Sequence, residues 1–120
     1  MKHPELDLTE EQAKTLENFR NAYMVEAMPM RTELLALKIN MRYLLSDPNA
    51  RPQILFNHQR KISALQARLE ELSLFYQVKA RSVFTKEQLG RLPQGWAFEM
   101  GLEYEIPVMD TGRRYKRGLR

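Results

Sequence analysis

The chain of 120 residues contains no cysteine, which excludes a disulfide framework, a thiolate metal site and a cysteine nucleophile. No apolar run approaches the roughly 18 residues that suggest a membrane-spanning helix. Histidine is scarce, with only His3 and His58. The five glycines form no phosphate-cradling loop, and neither a nucleophile elbow nor a carboxylate–histidine metal motif occurs. Strand-like alternation of useful length is missing too. Nothing in the residues announces catalysis, so the expectation is an all-helical protein that is not an enzyme. The opening MKHPELDLTEEQ is too polar for a signal peptide, and a chain whose targeting segment had been removed would look the same.

The net charge is +4 and the pI about 9.5, a balance that invites nucleic acid as a partner. Its distribution argues against that. Residues 1–109 carry 14 basic and 14 acidic side chains, while the last eleven, DTGRRYKRGLR, hold five bases and one acid. The whole excess lies in a short tail, with no groove-reading helix or aromatic platform beside it. No nucleic-acid partner is expected.

Helical spacing fills the body. From Pro52 to Phe84 the positions Leu55, Ile62, Leu65, Leu69, Leu72, Tyr76 and Val83 alternate at three and four residues, with His58 and Lys79 filling the gaps. That predicts a long amphipathic helix with a coiled-coil-like seam. A second stripe of Ile54, Phe75, Val78 and Phe84 widens the apolar face beyond what one partner helix needs. Upstream, Met30, Leu34, Leu37, Met41 and Leu44 repeat the spacing and end at LLSDPNARP, which supplies turn and cap chemistry. Before them, Leu16, Phe19 and Tyr23 form a shorter first helix. Pro29 lacks a backbone donor, and a break or sharp kink is expected near Ala27 to Met30. Beyond Arg91, the closely spaced Pro93, Gly95 and Gly101 predict loop. The organisation expected is a flexible N-terminus over 1–7, a helical domain over 8–92, and loop with a basic, disordered tail over 93–120.

One short signal occurs twice: LTEEQ from Leu8 to Gln12 and FTKEQ from Phe84 to Gln88, 76 positions apart. A threonine N-cap bonds the backbone N–H three residues on, while the glutamine there bonds the threonine N–H. Thr9 with Gln12 and Thr85 with Gln88 therefore mark two helix starts, with Leu8 and Phe84 placed to staple onto Ala13 and Leu89.

With a long helical hairpin between them, these paired signals resemble the Spy and CpxP family of bacterial periplasmic proteins. That superfamily includes zinc-resistance-associated proteins and cobalt and nickel sensors. The likeness covers Leu8 to about Met100, and the stretch FTKEQLGRLPQGWAFEM is similar to the end of the metal-resistance branch. Phe84 departs from the usual leucine. The resemblance implies a long antiparallel hairpin with short N- and C-terminal helices, four in all, paired into a cradle-shaped homodimer in the periplasm. It also implies an ATP-independent chaperone or stress-sensing adaptor, whose partners are unfolded or envelope proteins or a membrane sensor protein. The alternative is a zinc, nickel, cobalt or copper sensor or resistance protein.

For the chaperone, Phe19, Tyr23, Met24, Met28 and Phe56 are candidate client contacts, since aromatic and thioether side chains adapt to irregular apolar surfaces. For the metal reading, His58 with Glu26, Met24 and Met28 could complete a site between two chains. The competing expectation for His58, on the apolar seam, is a packed residue with one satisfied nitrogen. No cofactor is required by the first reading.

Overall fold

The computed structural model describes residues 7–103; the basic tail and His3 lie outside them. The described residues form four helices: α1 (Glu10–Ser46), α2 (Pro52–Arg81), α3 (Lys86–Arg91) and α4 (Trp96–Glu99). No strand occurs among them.

The two long helices lie side by side in opposite directions. Gln12 reaches Val83, Glu26 reaches Tyr76, and Leu37 reaches His58, so residues early in α1 meet residues late in α2. The turn between them is built locally. Asp47 accepts from the Asn49 backbone N–H through its side chain at 2.9 Å and from Ala50 through its carbonyl at 3.1 Å. Pro52 then opens α2 at a position where its missing N–H costs nothing. Between the helices, Leu16, Tyr23, Ala27 and Leu34 meet Ile62, Leu65, Leu69, Tyr76 and Ala80 in one buried cluster, with Phe19, Met30, Leu37, Met41 and Leu72 packed against it.

The first helix corrects one expectation. There is no break near Ala27 to Met30: α1 runs for 37 residues straight through Pro29. The proline ring denies the helix one hydrogen bond, to the Val25 carbonyl four residues back. Both Val25 and Pro29 are exposed, so water can serve that carbonyl. On the opposite side, Tyr23, Ala27 and Leu34 are at most 2% exposed, and their burial against α2 holds the chain helical across the lost bond. The expected short N-terminal helix and the first long one are thus a single element.

The C-terminal end departs from expectation as well. The loop predicted after Arg91 contains α4, and Ala97, Met100 and Leu102 are buried. Leu102 N–H donates to the Ala97 carbonyl and Gly101 N–H to that of Phe98, a two-bond helix stop. It needs the left-handed backbone that Gly101 adopts, at φ 76°. Phe84 turns inward rather than widening an outer stripe: it is 8% exposed and meets Trp96 edge-on with ring centroids 5.6 Å apart.

Pro29→Ala restores a donor and removes a ring clash on an exposed face. It should raise the thermal midpoint while leaving far-ultraviolet helicity equal or slightly higher. A lower midpoint would mean that the core packing depends on a bend imposed by the proline.

Candidate functional site

Both capping boxes form. Gln12 N–H donates to the Thr9 hydroxyl and Thr9 N–H to Gln12 Oε1, each at 3.0 Å. Gln88 N–H donates to the Thr85 hydroxyl at 3.1 Å and Thr85 N–H to Gln88 Oε1 at 3.0 Å. The spacing alone did not disclose that the two boxes face each other. Gln12 Nε2 donates to Gln88 Oε1 at 2.9 Å, and Gln88 Nε2 donates back to Gln12 Oε1 at 3.2 Å. A further bond runs from Gln12 Nε2 to the Val83 carbonyl at 3.0 Å.

This geometry explains why the N3 position of each box is glutamine. A glutamate would cap its own threonine equally well. Two glutamates face to face would instead bring like charges together and remove the donor that each amide gives the other. Only an amide supplies an acceptor to its own helix and a donor to its neighbour's. Leu8 and Leu89 pack against the buried cluster beside the pair. The start of α1, the end of α2 and the start of α3 are therefore fastened at one point.

The residues assigned to client binding do not form one surface. Tyr23 is 1% exposed and belongs to the core, where its ring meets that of Tyr76 edge-on at 5.9 Å; it cannot contact a client in this fold. Burial, the largest influence, pushes its pKa above 10.0, against the opposing effect of the Ser73 hydroxyl beside it. Phe19 is half-buried under the Lys79 ammonium, 5.4 Å from the ring centroid. Met24 is half-buried, whereas Met28 and Phe56 are exposed. Those last two lie far apart, because Phe56 sits at the turn end of α2.

The metal candidates are also separated within one chain. His58 donates from Nε2 to the Leu37 carbonyl at 2.7 Å, a bond that only the Nε2–H form can make, since a carbonyl cannot donate. Glu26 accepts from the Tyr76 hydroxyl at 2.5 Å, and loss of that donated bond on ionisation raises the Tyr76 pKa. Glu26 and Leu37 are eleven residues apart on one helix, or about 16 Å at its ordinary rise. The seam role expected for His58, one nitrogen satisfied, fits these contacts.

Each long helix also exposes apolar side chains, most of them outside the candidate residues. On α1, Val25, Met28, Leu35, Ile39 and Tyr43 are all exposed, and on α2 so are Leu74, Phe75 and Val78. Met28, Leu35 and Ile39 recur at seven and four residues, which places them on one face. That spacing is masked in the sequence by the buried seam of the same helix, which has a similar period. Beside this row runs a second with the same intervals three residues on, Arg31, Lys38 and Arg42. No described helix is long and apolar enough to cross a membrane. No family model, curated protein or solved structure matches the chain.

Gln12→Ala or Gln88→Ala should each lower stability by about 1–3 kcal/mol, by stranding polar groups of the surviving partner. In a double-mutant cycle the pair should cost less than the sum of the singles. Doubling the charge gives the sharper outcome. Gln12→Glu combined with Gln88→Glu should be weakest at neutral pH and recover as the carboxylates are protonated. Carboxylates sharing a site titrate high in the folded chain, so their stability is present in acid and lost as pH rises. Additive effects measured by urea unfolding would mean that the boxes cap their helices independently.

Proposed function

We propose that this chain is a non-enzymatic, periplasmic stress-response binding protein of the Spy and CpxP type. It holds partly unfolded proteins without ATP, or presents the same surface to a membrane sensor. In this reading α1 and α2 are the arms of a hairpin that pairs with a second copy into a shallow cradle. The single observation that carries it is the row of exposed apolar side chains on α1, Val25, Met28, Leu35, Ile39 and Tyr43, bordered by Arg31, Lys38 and Arg42. Apolar contacts ringed by charge can hold non-native chains without a nucleotide cycle. The paired threonine–glutamine boxes, from which the family resemblance came, support it further. Two helices packed edge to edge bury one stripe each, and a second chain is the simplest cover for what remains. A metal-sensing role would need ligands from two chains, since His58 is remote from Glu26, Met24 and Met28 within one.

The purified protein, without nucleotide or added metal, should suppress aggregation of an unrelated unfolding protein at near-stoichiometric ratio. Met28→Ser combined with Leu35→Ser should weaken suppression while leaving helicity intact, because both side chains are exposed. His58→Ala should leave it unchanged. Absence of suppression by the wild-type chain would sink the chaperone reading, and a metal-linked rise in thermal midpoint that His58→Ala abolishes would put the sensor in its place.

Light scattering should give a mass of about two chains at micromolar concentration. Leu69→Glu, which places a charge at a position 0% exposed, should unfold the protein rather than merely dissociate it. A monodisperse wild-type monomer at high concentration would remove the dimer but not the two-helix core.

A further inference from the structure

Charge is unevenly divided along the described chain. Residues 31–68, the half that contains the turn, carry seven lysines and arginines against two acids, Glu33 and Asp47. The other described residues, 7–30 and 69–103, carry six bases against ten acids. The described part is close to neutral in sum, yet basic at one end and acidic at the other.

The two acids of the basic half do little to offset it at the turn. Glu33 lies thirteen residues before the end of α1 at Ser46, or about 20 Å from it along the helix. Asp47 directs a carboxylate oxygen to the Asn49 N–H at 2.9 Å. Arg42, Arg51, Arg60 and Lys61 are all exposed and lie within about three helical turns of the connection. Apolar side chains accompany them. Tyr43 and Leu45 at the end of α1, and Ile54 and Phe56 at the start of α2, are between 49% and 73% exposed. The members of each pair are two positions apart, so at about 100° per residue they point about 200° apart around their helix. Apolar atoms therefore encircle the end of the hairpin instead of lining one side.

That arrangement selects the kind of partner. A folded protein with a rigid face would cover one side of such a tip and leave the other in water. A lipid headgroup layer deforms, closes round every side, and admits apolar side chains to a depth of about 5–10 Å while its phosphates meet the surrounding bases. No described helix is long and apolar enough to cross a membrane, so the contact is confined to the interface.

We infer that the turn end of the hairpin docks end-on on an anionic lipid surface, with Tyr43, Leu45, Ile54 and Phe56 in the headgroup boundary and Arg42, Arg51, Arg60 and Lys61 on lipid phosphates. The 37 residues of α1 span about 55 Å, against a screening length of about 8 Å, so the acidic end is held clear of the like-charged lipids. This contact goes beyond the chaperone reading and stands without it, because it rests on the turn end rather than on the row around Met28 and Leu35.

Because the chain lacks cysteine, a single introduced thiol can carry an environment-sensitive fluorophore in the full-length protein. Phe56→Cys reports on the turn end and Phe98→Cys on the capped end; both phenylalanines are exposed, and unchanged helicity would verify the fold. With vesicles of phosphatidylglycerol and phosphatidylcholine in equal parts, the label at position 56 should shift to the blue and become shielded from an aqueous quencher. The label at position 98 should do neither, and vesicles of phosphatidylcholine alone should change neither label. Arg42→Glu combined with Arg60→Glu should weaken sedimentation with the anionic vesicles at least about tenfold, by turning two attractions into repulsions. Sedimentation without a shift at position 56 would place the contact in the basic tail and overturn the inference. Equal shifts on neutral vesicles would overturn it, as would no shift on either kind. If polyglutamate then shifted the label at position 56 instead, the turn end would belong to an acidic protein partner.

Discussion

The reciprocal amide pair of Gln12 and Gln88 is the point on which the described chain closes. Each glutamine finishes a helix start and simultaneously ties that start to the other. The bond from Gln12 to the Val83 carbonyl adds the end of α2 to the same knot. Helix ends ordinarily leave donors for water or a side chain to satisfy. Here two ends satisfy them through a shared polar centre. Packing follows from that: with α3 fixed against α1, Phe84 and Trp96 are drawn together and α4 is delivered to the groove lined by Leu8, Leu16 and Arg20.

Much of this was legible in the residues, and what was missed has identifiable causes. The threonine–glutamine boxes placed both helix starts, because capping is a local interaction between positions three apart. Their meeting was invisible, because nothing local distinguishes a glutamine that only caps from one that also donates across 76 positions. At Pro29 the local rule for a helix break is overridden by packing. The buried stripe of Leu16, Phe19, Tyr23, Met30, Leu34 and Leu37 keeps its three-four register across the proline, and an unshifted register is the mark of one helix rather than two. Tertiary burial of Ala27 and Leu34 outweighs a single lost hydrogen bond on the wet side.

Among the candidate contacts, Tyr23 shows why residue type alone misleads. An aromatic at seam spacing belongs to the core unless the stripe is too wide to bury, and Tyr23 lies at the centre of that stripe. The exposed row was harder to see, since a helix bearing two apolar faces dilutes its own periodicity. Leu35 and Ile39 are flagged only once the buried face has been removed from consideration. His58 lies on the seam, its Nε2–H donating to the Leu37 carbonyl.

The two ends of the described chain are physically different. At the end away from the turn, α3, α4 and Leu102 cover the long helices, and polar ends are tied to one another. Toward the turn, among the described residues, α1 and α2 pack only on each other, and Leu35, Ile39, Tyr43, Ile54 and Phe56 are all exposed. A helix can tolerate scattered exposed leucines, but a row sustained over several turns leaves a contiguous apolar area facing water among the described residues. Covering that row would remove more apolar area from water than contact at the capped end, so a partner of the kind proposed gains most there.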